Sequence, residues 1–528
     1  MVLTVVVMGV AVFAAFAEKG ATDVPRVAVS AGEAALTTAS DYLTAEAGRH
    51  VNLSGRENFV PRSVNEDGSG FAHVRYDSHV NGVRVYGGEV IVHVDQKQGR
   101  AVGLSNFHPV VKATESIPVV QANEASQIAL WNLDLPFLTR DLPPAELVFY
   151  PSGKDFQLAW LVDAFIEDDS LPGPVARMFV IDAFTGNIVT SWDNLHTGKP
   201  SGGGTNPGSG TAATGSGRSL YLGTIAMNTE FYASAATYGM VDKHAGNSYT
   251  INMNNGTRSG TLFTDTDNVW GNGSTSDKTS VGVDAHLGMT YTYDYFKNVH
   301  GRNGLWNNGT GVYSRVHYSR SYNNAFWSDS CRCMTYGDGD GYYFTPLACI
   351  DVAAHEMSHG LCAATAKLAY SGESGGLNES NSDIFGCCVE FFANNPSDRP
   401  DWLIGETIYL RGTALRYMDH PTKDGYSIDH YSDYYSGLDV HYSSGLANNV
   451  FYLLANGGTN DTSKVSVSGI GIAKAERIWY VALTGYMSST CTFAQARAAC
   501  VNAATQLYGA SSTEVQRVKD AWYACGVN

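Results

Sequence analysis

The chain reads as an α+β multidomain protein: a small α+β region, then a β-rich lobe followed by a mainly helical lobe, with a cleft between the two lobes. Three observations carry that reading. The 528 residues exceed what one hydrophobic core serves. A stretch with eight glycines in twenty residues, Gly198 to Gly217, has no large apolar side chain with which to fold. Near Asp351 the apolar period changes from that of strands to that of helices.

From the start, "MVLTVVVMGVAVFAAFA" (residues 1–17) is an apolar run ending in a small-x-small triplet, which predicts a secretory signal cut after Ala17; the alternative is a membrane anchor, and the basic n-region is missing for either. Between 18 and 197, "FAHVRYDSHVNGVRVYGGEVIVHVD" alternates apolar and polar residues around Asn81-Gly82 and Gly87-Gly88, a pattern of antiparallel hairpins. "ELVFYPSGKDFQLAWLVDAFIED" and "ARMFVIDAFTGNIV" repeat it after a helical run, "QANEASQIALWNL". With no cysteine and no metal-ligand spacing, this region is expected to be a non-catalytic companion. Residues 198–217 are expected to be a linker carrying a maturation site, 218–360 a β-rich lobe ending in a helix, and 361–528 a helical lobe. Candidate helices fall near 351–365, 378–393, 441–455, 471–484 and 493–506.

A formal net charge of -17 argues against nucleic acid as a partner and suits a calcium-binding extracellular chain. No later segment has 18 consecutive apolar residues, so no membrane association is expected after signal removal. All nine cysteines lie at or beyond Cys331, and the odd count leaves at least one outside an internal bridge. Cys500 and Cys525 are the first choice for a disulfide bond.

"DVAAHEMSHG" (351–360) supplies the chemistry. On a helix His355 and His359 lie one turn apart on one face, so both imidazoles can reach one ion. Glu356, about 100° round, can take a proton from water without binding the metal. A catalytic zinc needs a third protein ligand. "GGLNESNSDIFG" offers Glu379, with Asp383 one turn later placed to accept the outer N–H of a ligating histidine.

These motifs, with "SYNNAFW", "ALRYMDHP", "LDVHYSSG" and "AACVNAATQLYG", resemble the thermolysin family of secreted metallopeptidases, in its pseudolysin and vibriolysin branch. The hairpins at 71–95 resemble the fungalysin/thermolysin propeptide, and the segment ending "MFVIDAFTGNIV" a PepSY module. The resemblance implies a two-lobed thermolysin-like catalytic domain behind an α+β pro-region. It implies a zymogen of a secreted, zinc-dependent neutral endopeptidase, acting as a monomer, with protein or peptide substrates and its own pro-region as chaperone and inhibitor. His355, His359 and Glu379 match the zinc ligands and Glu356 the general base. Tyr370 and His441 match the oxyanion donors, with Asp439 orienting His441.

Asn324 and Ala325 match the edge strand that aligns a peptide, and Arg416 the arginine holding the carbonyl after the scissile bond. Leu415, Val352, Phe344 and Leu347 match an apolar pocket, which implies cleavage before bulky hydrophobic residues. Asp351, Glu390, Asp401 and the Leu403 carbonyl match a structural calcium site. One calcium is expected, because Cys387 stands where some relatives have a carboxylate, although Glu406 compensates in part. Two rival readings fit parts of the sequence: a metal-stabilised peptide-binding protein without turnover, and a metal-dependent esterase or amidase. The full set of ligands, base and donors argues against the first, and "NNAFW" with Arg416 against the second.

Overall fold

The computed structural model describes residues 31–528 apart from 114, 134, 136–144, 169, 170, 172, 196–209 and 330. The signal at 1–17 and most of the linker lie outside the described residues. The described chain divides into two compact units, the first holding residues up to Ala125, Ala145–Leu161 and Ile181–Ile188, the second Ser126–Pro144, Val162–Val180 and Val189–Asn528.

In the first unit, α1 (Ala31–His50) packs on strands β1 (Glu57–Glu66), β2 (Phe71–Val80), β3 (Val83–Asp95) and β4 (Arg100–Asn106). The helix turns a face of small residues, Ala35, Ala39 and Ala47 with Leu43, onto Val74, Val90, Val92 and Tyr76. That spacing of four is the helical repeat, so one stripe is buried and the rest is wet. The Asn81-Gly82 turn joins β2 to β3 as the sequence predicts, with both residues at positive φ. Gly87-Gly88 is not a turn. Both lie inside β3, where the register with β2 shifts between Asp77 and His79, and a Cβ on Gly88 would sit 2.8 Å from Val85 Cβ. The glycines serve a bulge there.

After α2 (Ala122–Trp131), β5 (Glu146–Ser152) pairs with β3 in parallel and with β6 (Asp155–Ile166) antiparallel; β7 (Val175–Asp182) and β8 (Ile188–Asp193) follow. The expected linker ends sooner than 217. Thr211–Arg218 is strand β9, paired antiparallel with β10 (Thr224–Tyr232). Small residues are needed there for packing: a Cβ at Gly217 would lie 2.6 Å from Val283 Cγ1 and 2.8 Å from Met227 Sδ.

The second unit's other large sheet orders Ser248–Asn252, Tyr313–Val316, Cys333–Tyr336 and Ala325–Ser328 side by side, the last at the edge. Within this β-rich lobe lies an unexpected helix, α3 (Lys278–His300), capped by Asp277 at its start and by left-handed Gly301 at its end. The helical lobe carries α4 (Ile350–Ala364), α5 (Gly372–Ala393), α6 (Val440–Ala455), α7 (Ile472–Val481), α8 (Phe493–Tyr508) and α9 (Thr513–Ala524). Helices α4, α5 and α6 pack in series around one apolar core.

Cys500 and Cys525 do not bridge. Both thiols are free and buried, and Cys525 Sγ is 3.6 Å from Asn449 Oδ1. Among the described residues one disulfide forms, between Cys331 and Cys333. Among the described residues no helix is long and apolar enough to cross a membrane.

Candidate functional site

Helix α4 is buried along Ile350–Cys362. Its Gly360 lets it approach the edge sheet: a Cβ there would stand 2.6 Å from both Leu305 Cδ1 and Trp327 Cζ2. His355 and His359 face the same side, with Nε2 atoms 3.1 Å apart. Each ring is held from behind. His355 Nδ1 donates to Asp383 Oδ1 at 2.8 Å, and His359 Nδ1 donates to Asn378 Oδ1 at 2.8 Å. Those bonds fix the proton on Nδ1 and turn both Nε2 lone pairs inward. Sequence reasoning found Asp383 but gave Asn378 no role at the site.

From α5, Glu379 brings Oε2 to 3.6 Å from His355 Nε2 and Oε1 to 3.5 Å from His359 Nε2, with its side chain fully buried. Tetrahedral zinc with bonds of about 2.0–2.1 Å needs ligand atoms roughly 3.3 Å apart. The three observed separations bracket that value, so the donor set fits a zinc ion. Glu356, from the next position on α4, brings a carboxylate oxygen within 4.8 Å of both imidazoles. Its Oε2 is buried without a hydrogen-bond partner among the described residues. Burial lifts this carboxyl to about 7, against the pull of His355.

Tyr370 and His441 close the site from the far side. The Tyr370 hydroxyl donates to Glu379 and lies 3.1 Å from His441 Nε2. Asp439 has two tasks: its Oδ1 accepts the His441 backbone N–H at 2.9 Å, capping α6, and accepts a hydrogen bond from His441 Nδ1–H at 2.8 Å. Burial opposes the charge on His441, but Glu379 and Asp439 outweigh it and raise the imidazole to about 9. Arg416 forks onto Asp383 with Nε at 2.8 Å and Nη2 at 2.7 Å, and Asn448 Nδ2 adds a further bond at 2.8 Å. Despite its burial, Asp383 is held ionised well below the usual carboxylate range by Arg416 and His355.

A cleft of about 540 Å³ opens over these groups. Of the expected pocket residues it is lined by Asn324, Ala325, Leu347, Val352, Leu415 and Arg416. Phe344 is not among them. It bridges to Tyr409, with ring centroids 5.5 Å apart, and lines a neighbouring depression that shares Leu415, Arg416 and His441. Ile408 and Leu438 supply apolar lining that sequence reasoning missed, and Ser191–Asp193 and Leu195 line the same cleft.

The expected calcium ligands converge only in part. Glu390, Asp398 and Glu406 bring carboxylate oxygens within 4.8 Å of one another. Asp398 was not expected. Asp401 instead accepts the Leu403 N–H at 2.7 Å, and the Leu403 carbonyl accepts from the Cys387 thiol at 3.6 Å. Asp351 Oδ2 accepts the Gly405 N–H at 2.5 Å, while its Oδ1 and both Glu390 oxygens are buried without hydrogen-bond partners among the described residues. Burial, then the neighbouring carboxylates, push Asp398 to about 7, Glu406 to about 9 and Glu390 to about 11.

Fold and site together define a metal-dependent hydrolase of the two-histidine, one-carboxylate type. The comparisons with known proteins agree. Residues 214–363 match the thermolysin metallopeptidase catalytic domain, 366–527 its alpha-helical domain, and 57–105 the fungalysin/thermolysin propeptide motif. The chain belongs to the thermolysin family of metallopeptidases. It is 38% identical over 481 residues to thermolysin of Bacillus sp. (strain EA1), covering 87% of this chain and 84% of that one. It is 35% identical over 527 residues to bacillolysin of Bacillus cereus, covering 94% and 90%. A transglutaminase-activating metalloprotease of Streptomyces mobaraensis is 40% identical over 501 residues, 92% of this chain, which spans 63% of that relative's length. The precursor of protealysin from Serratia proteamaculans covers 53% of this chain at 31% identity, with a TM-score of 0.44.

Proposed function

We propose that this chain is the precursor of a secreted zinc endopeptidase that cleaves before bulky hydrophobic residues. The observation that supports it most is the convergence of His355, His359 and Glu379 at tetrahedral spacing beside the buried Glu356 carboxyl, whose Oε2 has no hydrogen-bond partner among the described residues. A zinc ion held by those three residues supplies the Lewis acidity that polarises the scissile carbonyl and acidifies water. Glu356 takes the proton of the attacking water and passes it to the leaving amine, a task its carboxyl near pH 7 suits. The Tyr370 hydroxyl and the His441 Nε2–H donate to the developing oxyanion, with Asp439 keeping His441 protonated. Arg416 positions the peptide carbonyl that follows, and Asn324 and Ala325 align the chain along the free strand edge. Leu347, Val352, Ile408, Leu415 and Leu438 receive the hydrophobic side chain.

Residues 18–197 act as the pro-region, and Ser191–Asp193 in the cleft support an inhibitory role. Processing falls before Thr211, because a cut within β9 would strip its pairing with β10. One calcium at Glu390, Asp398 and Glu406, with Asp351 adjacent, would relieve the repulsion among buried carboxylates and tie α4 to α5. The test is hydrolysis of a peptide library and of matched esters by the matured protein, with and without a zinc chelator. Chelator-sensitive cleavage before Leu, Phe or Ile is expected. Cleavage that survives zinc removal, or cleavage of esters alone, would overturn the proposal.

A further inference from the structure

Glu167 lies in the pro-region, is fully buried, and meets a fully buried arginine of the catalytic sheet. Arg315 Nη2 stands 3.1 Å from Glu167 Oε1 and Nη1 3.5 Å from Oε2, and the Tyr318 hydroxyl donates to Oε1 at 2.7 Å. The next residue, Asp168, pairs with Arg258. Arg315 Nε donates to Thr335 Oγ1 at 2.8 Å, and its guanidinium carbon lies 5.2 Å from the Tyr318 ring centroid and 5.7 Å from that of Phe326.

The register of the sheet gives this arginine a direction. Arg315 is opposite Thr335, and Thr335 is opposite Phe326, so the three side chains form one row on one face. The row ends at Phe326 because Ala325–Ser328 is the edge strand. Phe326 adjoins Ala325, which lines the cleft with His355 and Glu356. A peptide paired outside that edge would continue the row about 4.8 Å further out. A long acidic side chain on the face it shares with Phe326 would then point along the row towards the guanidinium.

We propose that Arg315, with the Tyr318 hydroxyl, is a carboxylate-binding subsite of the catalytic unit. Glu167 fills it in the precursor; once the pro-region has left, an acidic side chain of a substrate paired along the Ala325–Ser328 edge fills it. The inference rests on the peptidase reading above. Its physical basis is that departure of Glu167 leaves a guanidinium on an aromatic face, hydrogen-bonded to Thr335 alone among the groups named here, and a replacement carboxylate restores a charge-assisted bond.

The experiment compares matured enzyme on peptides that carry Glu or Gln at each of four positions on either side of the scissile bond. Wild type should show a preference for Glu of about fivefold to tenfold in kcat/KM at one position, weakened in high salt, as a partly exposed charge-assisted bond implies. Arg315→Gln should lose the preference, cutting its Glu and Gln peptides at equal kcat/KM, while Arg315→Lys keeps part of it. A wild-type scan with no Glu preference overturns the proposal, and so does a preference that survives Arg315→Gln. If that variant fails to mature, the wild-type scan still decides, supported by Glu167→Gln, whose mature enzyme is chemically unchanged and whose pro-region should dissociate sooner. Failure to cut any Gln peptide would instead count against the peptidase reading.

Discussion

Replacing Asp383 by Asn probes how the site holds its shape. The carboxylate takes four hydrogen bonds: one from His355 Nδ1, two from Arg416 and one from Asn448, at 2.7–2.8 Å. Asparagine offers one acceptor and turns its amide N–H groups towards donors. The histidine loses its orienting partner, and such losses weaken metal binding about 10- to 100-fold. Arg416 loses its partner charge in a buried place, which costs about 3–5 kcal/mol. Zinc affinity by competition with a chromophoric chelator, and thermal unfolding of the zinc-loaded and zinc-free forms, measure the two effects separately. Asp383→Asn should show both, and the double variant Asp383→Asn/Arg416→Met should recover much of the zinc-free stability without recovering zinc affinity. Unchanged zinc affinity, or no stability gain in the double variant, would refute the account of Asp383 as the shared anchor.

Cation binding at the carboxylate cluster should strengthen with pH. Asp398 and Glu406 are raised to about 7 and about 9, so without a cation the fold favours their protonated forms; that stability is full below pH 4 and is lost as pH rises through 7 to 9. Calcium must displace those protons, so its increment in Tm should be larger at pH 8 than at pH 6; an equal or smaller increment at pH 8 would contradict this. Gly360→Ala should destabilise by about 1–3 kcal/mol through overpacking against Trp327 and Leu305, although the same change in an open helix gains about 1 kcal/mol, and equilibrium unfolding gives the sign. Leu438→Ala should erode the preference for bulky residues after the scissile bond, whereas Phe344→Ala should leave it nearly unchanged, as kcat/KM on Leu and Ala peptides will show.

The convergence of His355, His359, Glu379 and Asp383 was legible because helical spacing alone brings His355 and His359 together, and because Asp383 follows Glu379 by one turn. Asn378 was hidden: nothing in the pattern says that the side chain next to Glu379 supports His359. Asp398 was hidden for a different reason. It sits in an irregular "SDRP" segment, where no period predicts direction, while Asp401 looked equally placed and serves a local turn. Helix α3 escaped because its first half is buried on nearly every side, Ser280 to Met289, which erases the apolar stripe that marks a helix. The small residues of β9 resembled a linker because strand formation there depends on what packs against it, Val283 and Met227, rather than on its own side chains.

The central claim is that His355, His359 and Glu379 share one zinc while Glu356 stays off the metal. X-ray absorption at the zinc edge, on the matured enzyme and on Glu356→Gln, tests it directly. Both samples should show only nitrogen and oxygen neighbours at about 2.0–2.1 Å with the signature of two imidazoles, and the variant should bind one zinc yet hydrolyse nothing. A sulfur shell near about 2.3 Å, or loss of zinc from Glu356→Gln, would contradict it.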